Sequence, residues 1–246
     1  MTVPGRRIPH TVAAVVTAVV LAPLALPGYA LRYDMVFVPR QPLSWEMIAP
    51  ADALPRAVPL DALVSLANLA VPGWLLQRSV LVAVVYLATL GAFRLVPSTR
   101  TGTRVVAALA YAWTPFLAER LLIGQWALLL AYAALPWLVA AVRDLRAGRS
   151  GALPRMVLAA APAAVTPTGG LIALATVVVL LPLRSRATAA ALASVAALNV
   201  PWLAAALTTT AGGRSDSNGV AAFAARAENW AGSWTALAGT GGIWNA

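Results

Sequence analysis

The chain has no cysteine, and every one of its 18 basic residues is arginine. Without thiols, neither a disulfide framework nor a thiolate metal site exists. His10 is the only histidine. It precedes the first apolar run, away from every other candidate residue, so a Ser-His-Asp triad and a His-rich zinc site are excluded where the acids lie. No Walker A loop and no dinucleotide fingerprint occurs. Charge is also scarce, at 11% of residues against about 25% in soluble domains.

What fills the chain instead is apolar. Hydrophobic residues make up 61% of it, and mean hydropathy is +0.79. Apolar runs approach the roughly 20 residues a helix needs to cross a bilayer. They are continuous and rich in Ala, Leu and Val, not alternating as barrel strands would be. The pattern predicts an all-α polytopic bundle of about seven transmembrane helices, at residues 11–31, 79–96, 105–118, 121–142, 156–165, 170–183 and 187–208. Residues 32–78 form a proline-interrupted outer loop with surface helices, one expected over 61–76 with Trp74 at headgroup depth and Asp61 at its N-cap. Gly28-Tyr29-Ala30 loosely fits a cleavage site, but the preceding run is long for a signal peptide and more membrane segments follow, so an uncleaved first helix is preferred. Residues 209–246 read as an extracytoplasmic tail in which Trp230, Trp234 and Trp244 anchor at the interface or stack on sugar rings.

Charge decides the topology. With the amino terminus inside and 156–183 counted as two crossings, eleven arginines and the single acid Asp144 fall on the inner side. Seven arginines and seven acids fall outside, so the whole formal charge of +10 sits inside. That agrees with the positive-inside rule. Counting 156–183 as one crossing would move Arg184 and Arg186 outside and weaken the agreement. The arginines lie in the links between apolar runs, so membrane topology, not nucleic acid, accounts for the pI near 11.5.

With the acids outside, the outer face is where chemistry is expected. Asp34, just beyond the first helix, is the first candidate: a carboxylate there deprotonates an acceptor hydroxyl or holds a divalent cation such as Mg or Mn. The plainer alternative is an interfacial Asp paired with Arg32 or Arg40. Glu119-Arg120 interrupts two apolar segments; ionisable residues there are costly and mark function by default. Arg120 suits a phosphate, although a wet outer turn is an equal reading. Gln125 adds polarity where lipid-facing helix needs none. Asp52 and Arg56, with Asp61, read as solvated loop charges, with joining Asp34 at a site as the functional alternative. Thr166-Pro167-Thr168-Gly169-Gly170 breaks a membrane segment, leaving either a plain turn or helix ends that bind an anion.

Three of these features together resemble the amino-terminal membrane core of GT-C glycosyltransferases, and more nearly large actinobacterial membrane proteins of the arabinofuranosyltransferase type. They are Tyr33-Asp34 opening a long outer loop, the Thr114-Pro115-Phe116-x-x-Glu119-Arg120-Leu121-Leu122-x-Gly124-Gln125-Trp126 pattern, and the Thr-Pro-Thr-Gly-Gly break. The resemblance covers roughly residues 11–208. It implies a polyprenyl-phosphate sugar donor, a cell-envelope glycan acceptor, transfer at the outer face of the cytoplasmic membrane, and Asp34 as catalytic base with a possible divalent metal. Glu119, Arg120, Gln125, Asp52 and Arg56 would then bind substrate. The chain is short for that class and stops at Ile243-Trp244-Asn245-Ala246, which gives the expectation of a fragment of a longer enzyme. A transporter or flippase, or a non-catalytic membrane protein, is the competing expectation; a transporter would place Asn199 and Gln125 along a midplane path.

Overall fold

The computed structural model describes residues 7–26, 28–182, 185–213, 217, 219, 224–228 and 230–242. Arg6, Arg184, Arg214, Asp216 and Trp244 of the charge and tail readings lie outside them. The described residues are helical, with one isolated antiparallel bridge between Arg32 and Met35.

Five helical stretches are long and apolar enough to cross a membrane. The first is α1 (Ile8–Leu21), continued by a 3-10 turn over Ala22–Ala25. After the outer loop and α2 (Leu60–Asn68) comes α3 (Gly73–Leu95). The third is a broken pair, α4 (Thr101–Ala112) and α5 (Pro115–Ile123). Then follow α6 (Trp126–Arg146), the short α7 (Ala152–Ala160) and α8 (Pro167–Leu180), and α9 (Arg186–Thr208). Helices α3 and α6 form the centre: α1 and α4 pack on α3, α7 and α8 on α6, and α9 on α8.

The boundaries differ from the sequence expectation in four places, each for a local reason. Helix α3 starts at Gly73 rather than 79, because Pro72 ends the loop and sets the first turn, so Trp74 belongs to a spanning helix. Asp61 lies inside α2 and makes no capping bond; Pro59 holds the N-cap position. The chain does not turn at Glu119-Arg120, which lie in the last turns of α5. It breaks twice nearby instead, at Trp113-Thr114, where Thr114 accepts from the Leu117 amide at 3.2 Å ahead of Pro115, and at Gly124, which ends α5 in the left-handed conformation with φ of 86°.

Lipid supplies no partner for backbone polar groups, so each broken helix needs its own repair. Pro136 inside α6 has no N–H for the carbonyl of Tyr132, and Pro115 has none for the carbonyl of Tyr111. Two tyrosines resolve both defects reciprocally. The Tyr111 hydroxyl donates to the Tyr132 carbonyl at 2.8 Å, and the Tyr132 hydroxyl donates to the Tyr111 carbonyl. Their rings stack at 4.3 Å and 7°. Elsewhere small residues make the seams: Ala131, Ala160, Ala163, Ala173 and Ala191 are buried between α6, α7, α8 and α9, where alanine lets backbones approach. Gly170 is forced by the same closeness, since a Cβ there would stand 1.8 Å from Asn199 Oδ1. The outward faces stay apolar, with Leu158, Val179 and Leu207 exposed, as a lipid-facing surface requires.

Tyr111→Phe leaves the Tyr132 carbonyl without its donor in an apolar setting. The expected cost is about 1–3 kcal/mol, read as a lower unfolding midpoint in detergent. Tyr132→Phe orphans the Tyr111 carbonyl in the same way, and the double variant costs less than the two single costs together.

Candidate functional site

The polar end of the bundle is built by docking the outer loop onto the α5–α6 corner. Its anchors are backbone groups. Buried Gln77 on α3 accepts from the Ala30 amide at 2.9 Å and donates to the Ala30 carbonyl at 2.8 Å. Arg78, one residue on, donates to the carbonyls of Leu24 (2.5 Å), Leu26 and Gly28 (3.1 Å), neutralising the carbonyl end of the α1 extension. The Asp34 amide then donates to the Ile123 carbonyl at 3.0 Å, and Phe37 packs on Trp126 at 5.0 Å. Gly124 makes this docking possible: any Cβ there would lie 2.2 Å from the Met35 nitrogen.

Asp34 sits on a tight turn closed by the Met35 amide donating to the Arg32 carbonyl at 2.9 Å. Tyr33 within it has φ of 47°, a region bulky residues seldom occupy. The turn lifts the Asp34 carboxylate to the surface beside Gln125. The Gln125 amide nitrogen faces Asp34 Oδ2 at 3.5 Å, and its carbonyl oxygen accepts from Arg120. Gln125 thus links the cation to the carboxylate, each end of its dipole turned to the charge it complements. Arg120 also lies 5.2 Å from the Phe116 ring centroid.

A cleft of about 570 Å³ opens at this point. Asp34, Arg56, Asp61 and Gln125 contribute its polar walls, with Trp126 and Thr166–Thr168 completing them. The first turns of α2, α6 and α8 all border it, so the partially positive ends of three helices lie along its walls. Thr166 caps α8 by accepting from the Gly169 amide at 3.3 Å. The chemistry offered is that of a site for a negatively charged group next to two carboxylates.

The sequence candidates separate here. Asp34, Arg56 and Gln125 share the cleft, and Arg120 reaches it through Gln125. Glu119 does not, because adjacent helical residues point about 100° apart. It is buried against the carboxyl-terminal segment, where a Cβ on Gly241 would stand 2.7 Å from its Oε1 and 2.5 Å from Glu228 Oε2. Asp52 is not a wall of the cleft either. It accepts from the Thr210 hydroxyl at 3.3 Å, in a tie where Thr209 and Thr210 hold the Ala51 and Ala53 carbonyls to the end of α9. Asn199 is buried within α9, donating to the Val195 carbonyl at 2.7 Å and accepting from the Trp202 indole at 2.8 Å, so it lines no path.

Asp61 is the residue the sequence reading undervalued. It is half-buried in the cleft wall, its carboxylate makes no hydrogen bond or ion pair among the described residues, and burial raises its pKa above the ordinary 3.8. The available signal was its place one helical turn beyond Arg56 and Ala57, at the start of an amphipathic helix. For a metal, the described residues gather no group of three His, Cys, Asp or Glu side chains; the cleft offers only Asp34 and Asp61.

No family model, curated protein or solved structure matches the chain.

The raised Asp61 pKa has a signed consequence. The folded state binds this proton more tightly than the unfolded chain, so stability falls as pH rises from 3.8 through the folded value and is level above it. Asp61→Asn removes that loss. The variant is expected to melt higher than the native chain at pH 7, with the gap closing at acid pH. Equal midpoints at pH 7 would mean that the carboxylate carries no cost.

Proposed function

We propose that the chain is the membrane core of a GT-C-type glycosyltransferase, which moves a sugar from a polyprenyl-phosphate carrier to a cell-envelope glycan at the outer face of the cytoplasmic membrane. The observation that carries this reading is the convergence of Asp34, Gln125 and Arg56 on one cleft bordered by three helix N-termini. A sugar phosphate at a membrane boundary needs that combination: positive ends for the phosphate and a carboxylate for the incoming hydroxyl.

In the transfer, Asp34 takes the proton of the acceptor hydroxyl as its oxygen bonds to the anomeric carbon. The bond from that carbon to the phosphate oxygen breaks, and the polyprenyl phosphate leaves with the electron pair. Charge growing on it is met by Arg56 and by the N-termini of α6 and α8. Arg120 holds Gln125, and Gln125 orients Asp34. A Mg or Mn ion would find two carboxylates in the cleft and would need phosphate oxygens to complete its shell; no step above depends on one.

The reading includes seven crossings, with the amino terminus inside and the cleft outside. Arg94, Arg100, Arg104, Arg143, Arg146, Arg149 and Arg155 then face the cytoplasm. Helices α7 and α8 make the fifth and sixth crossings, short because α7 has 9 residues and α8 has 14.

Two experiments test this. Asp34→Asn, expressed at the native level in the host, is expected to lower transfer by 100-fold or more, the range ~10²–10⁴ typical of a general base; unchanged glycan composition removes Asp34 from the mechanism. For topology, the cysteine-free chain accepts single labels. Ser44→Cys is expected to react with a membrane-impermeant maleimide in intact cells, while Thr99→Cys and Ser150→Cys react only after lysis. The reverse pattern overturns the orientation.

A further inference from the structure

The opposite end of the bundle carries a second recess. Helix α7 stops at Ala160, too soon to cover α6 along its length. Between α3, α6 and α7 this leaves an apolar groove of about 300 Å³, walled by Val84, Leu87, Leu130, Ala134, Trp137 and Leu158. Leu158 is 73% exposed. The groove runs on into a recess of about 430 Å³, because Trp137, Leu158 and Ala159 line both, and there the walls become charged with Asp144 and Arg155.

The mouth is strongly basic. Arg94 lies 5.4 Å from the Trp137 ring centroid, and Arg143 donates to the Leu95 carbonyl at 3.4 Å. Asp144, the one acid at this end, is already held by Arg149 at 2.5 Å and Arg155 at 3.3 Å. No carboxylate pairs with Arg94 or Arg143 among the described residues, and Arg94 donates to His10 Nε2 at 3.0 Å. The Trp137 indole donates to the Leu87 carbonyl at 3.0 Å, which fixes the ring as the floor where apolar groove meets charged mouth.

We infer that this groove binds an anionic phospholipid, its acyl chain along α6 and α7 and its phosphate at Arg94 and Arg155. The occupant follows from charge complementarity. A narrow apolar channel ending where Arg94, Arg143, Arg149 and Arg155 outnumber the single acid Asp144 fits an amphiphile with one negative head, and basic pockets between membrane helices take such heads. The polyprenyl-phosphate donor does not suit it, since its phosphate would sit at the end of the bundle away from Asp34. The inference therefore stands whether or not the chain is a glycosyltransferase.

The test is native mass spectrometry of the full chain in a neutral detergent, titrated with phosphatidylglycerol and with phosphatidylcholine of the same acyl chains. Phosphatidylglycerol is expected to bind several-fold more tightly. The Arg94→Gln/Arg155→Gln double variant is expected to lose that preference, by roughly fivefold per arginine, while phosphatidylcholine binding is unchanged. Ala159→Leu, which fills the groove, is expected to reduce both lipids. Arg40→Gln, at the other end, is expected to change neither. Equal binding of the two lipids by the native chain overturns the proposal, as does a preference that survives the double variant or falls equally with Arg40→Gln.

Discussion

The structure depends on one constraint: inside a bilayer, every backbone N–H and carbonyl must find a partner in the protein itself. At several of the breaks among the described residues, a named side chain meets the demand. Tyr111 and Tyr132 each supply the hydrogen bond that a proline takes from the other's helix. Thr114, Thr166 and Ser185 cap the helices that begin at breaks. Arg78 collects three carbonyls where α1 unwinds, and Gln77 takes both backbone groups of Ala30. These repairs make the polar loop compatible with a membrane boundary, and they also place it. Gln77 and Arg78 are consecutive on α3, so the loop is registered against the bundle before Asp34 is reached.

That registration produces the site. Gly124 gives the loop room to touch the α5–α6 corner, and the corner puts Gln125 between Arg120 and Asp34. Three helix N-termini meet at the cleft because three connections end there, each turning the chain at the same end of the bundle. The positive ends of α2, α6 and α8 offset part of the local excess of carboxylate. Asp61 remains the exception. A half-buried carboxylate with no partner among the described residues lowers stability at neutral pH, and folds keep such costs mainly where a ligand meets the group.

Much of this was legible in the sequence, and the reason is physical. Apolar length reports membrane helices directly, so the multi-pass helical class followed from composition and spacing. Asp34 and Gln125 were legible because polar residues beside long apolar runs are conspicuous, and Arg56 because charge is scarce in the chain. The failures were of direction and register. Glu119 and Arg120 look like one feature in sequence, yet helical geometry sends one to the carboxyl-terminal segment and the other to Gln125. Glu119-Arg120 also drew the eye as the turn, when the backbone signals for breaking were Thr114-Pro115 and Gly124. Asp52 as a loop acid and Asp61 as an expected N-cap gave no sign of which would reach the cleft; the loop's path takes one toward Thr210 and the other into the cleft wall.

The short helices show how sequence length becomes architecture. Residues 152–180 fold as two helices of 9 and 14 residues around a turn over 161–166, and neither reaches the length of an upright span. Their shortness has opposite effects at the two ends. At the polar end, the turn brings Thr166–Thr168 and the α8 N-terminus down into the cleft, where a full-length pair would have carried them past it. Along α6, the same shortness uncovers an apolar wall beside Trp137 and leads it to the arginines. Lengthening α7 would bury that wall and lift the α8 N-terminus away from Asp34 and Asp61. Cleft and groove are therefore two consequences of one choice of length, with the lipid left to cover what α7 does not.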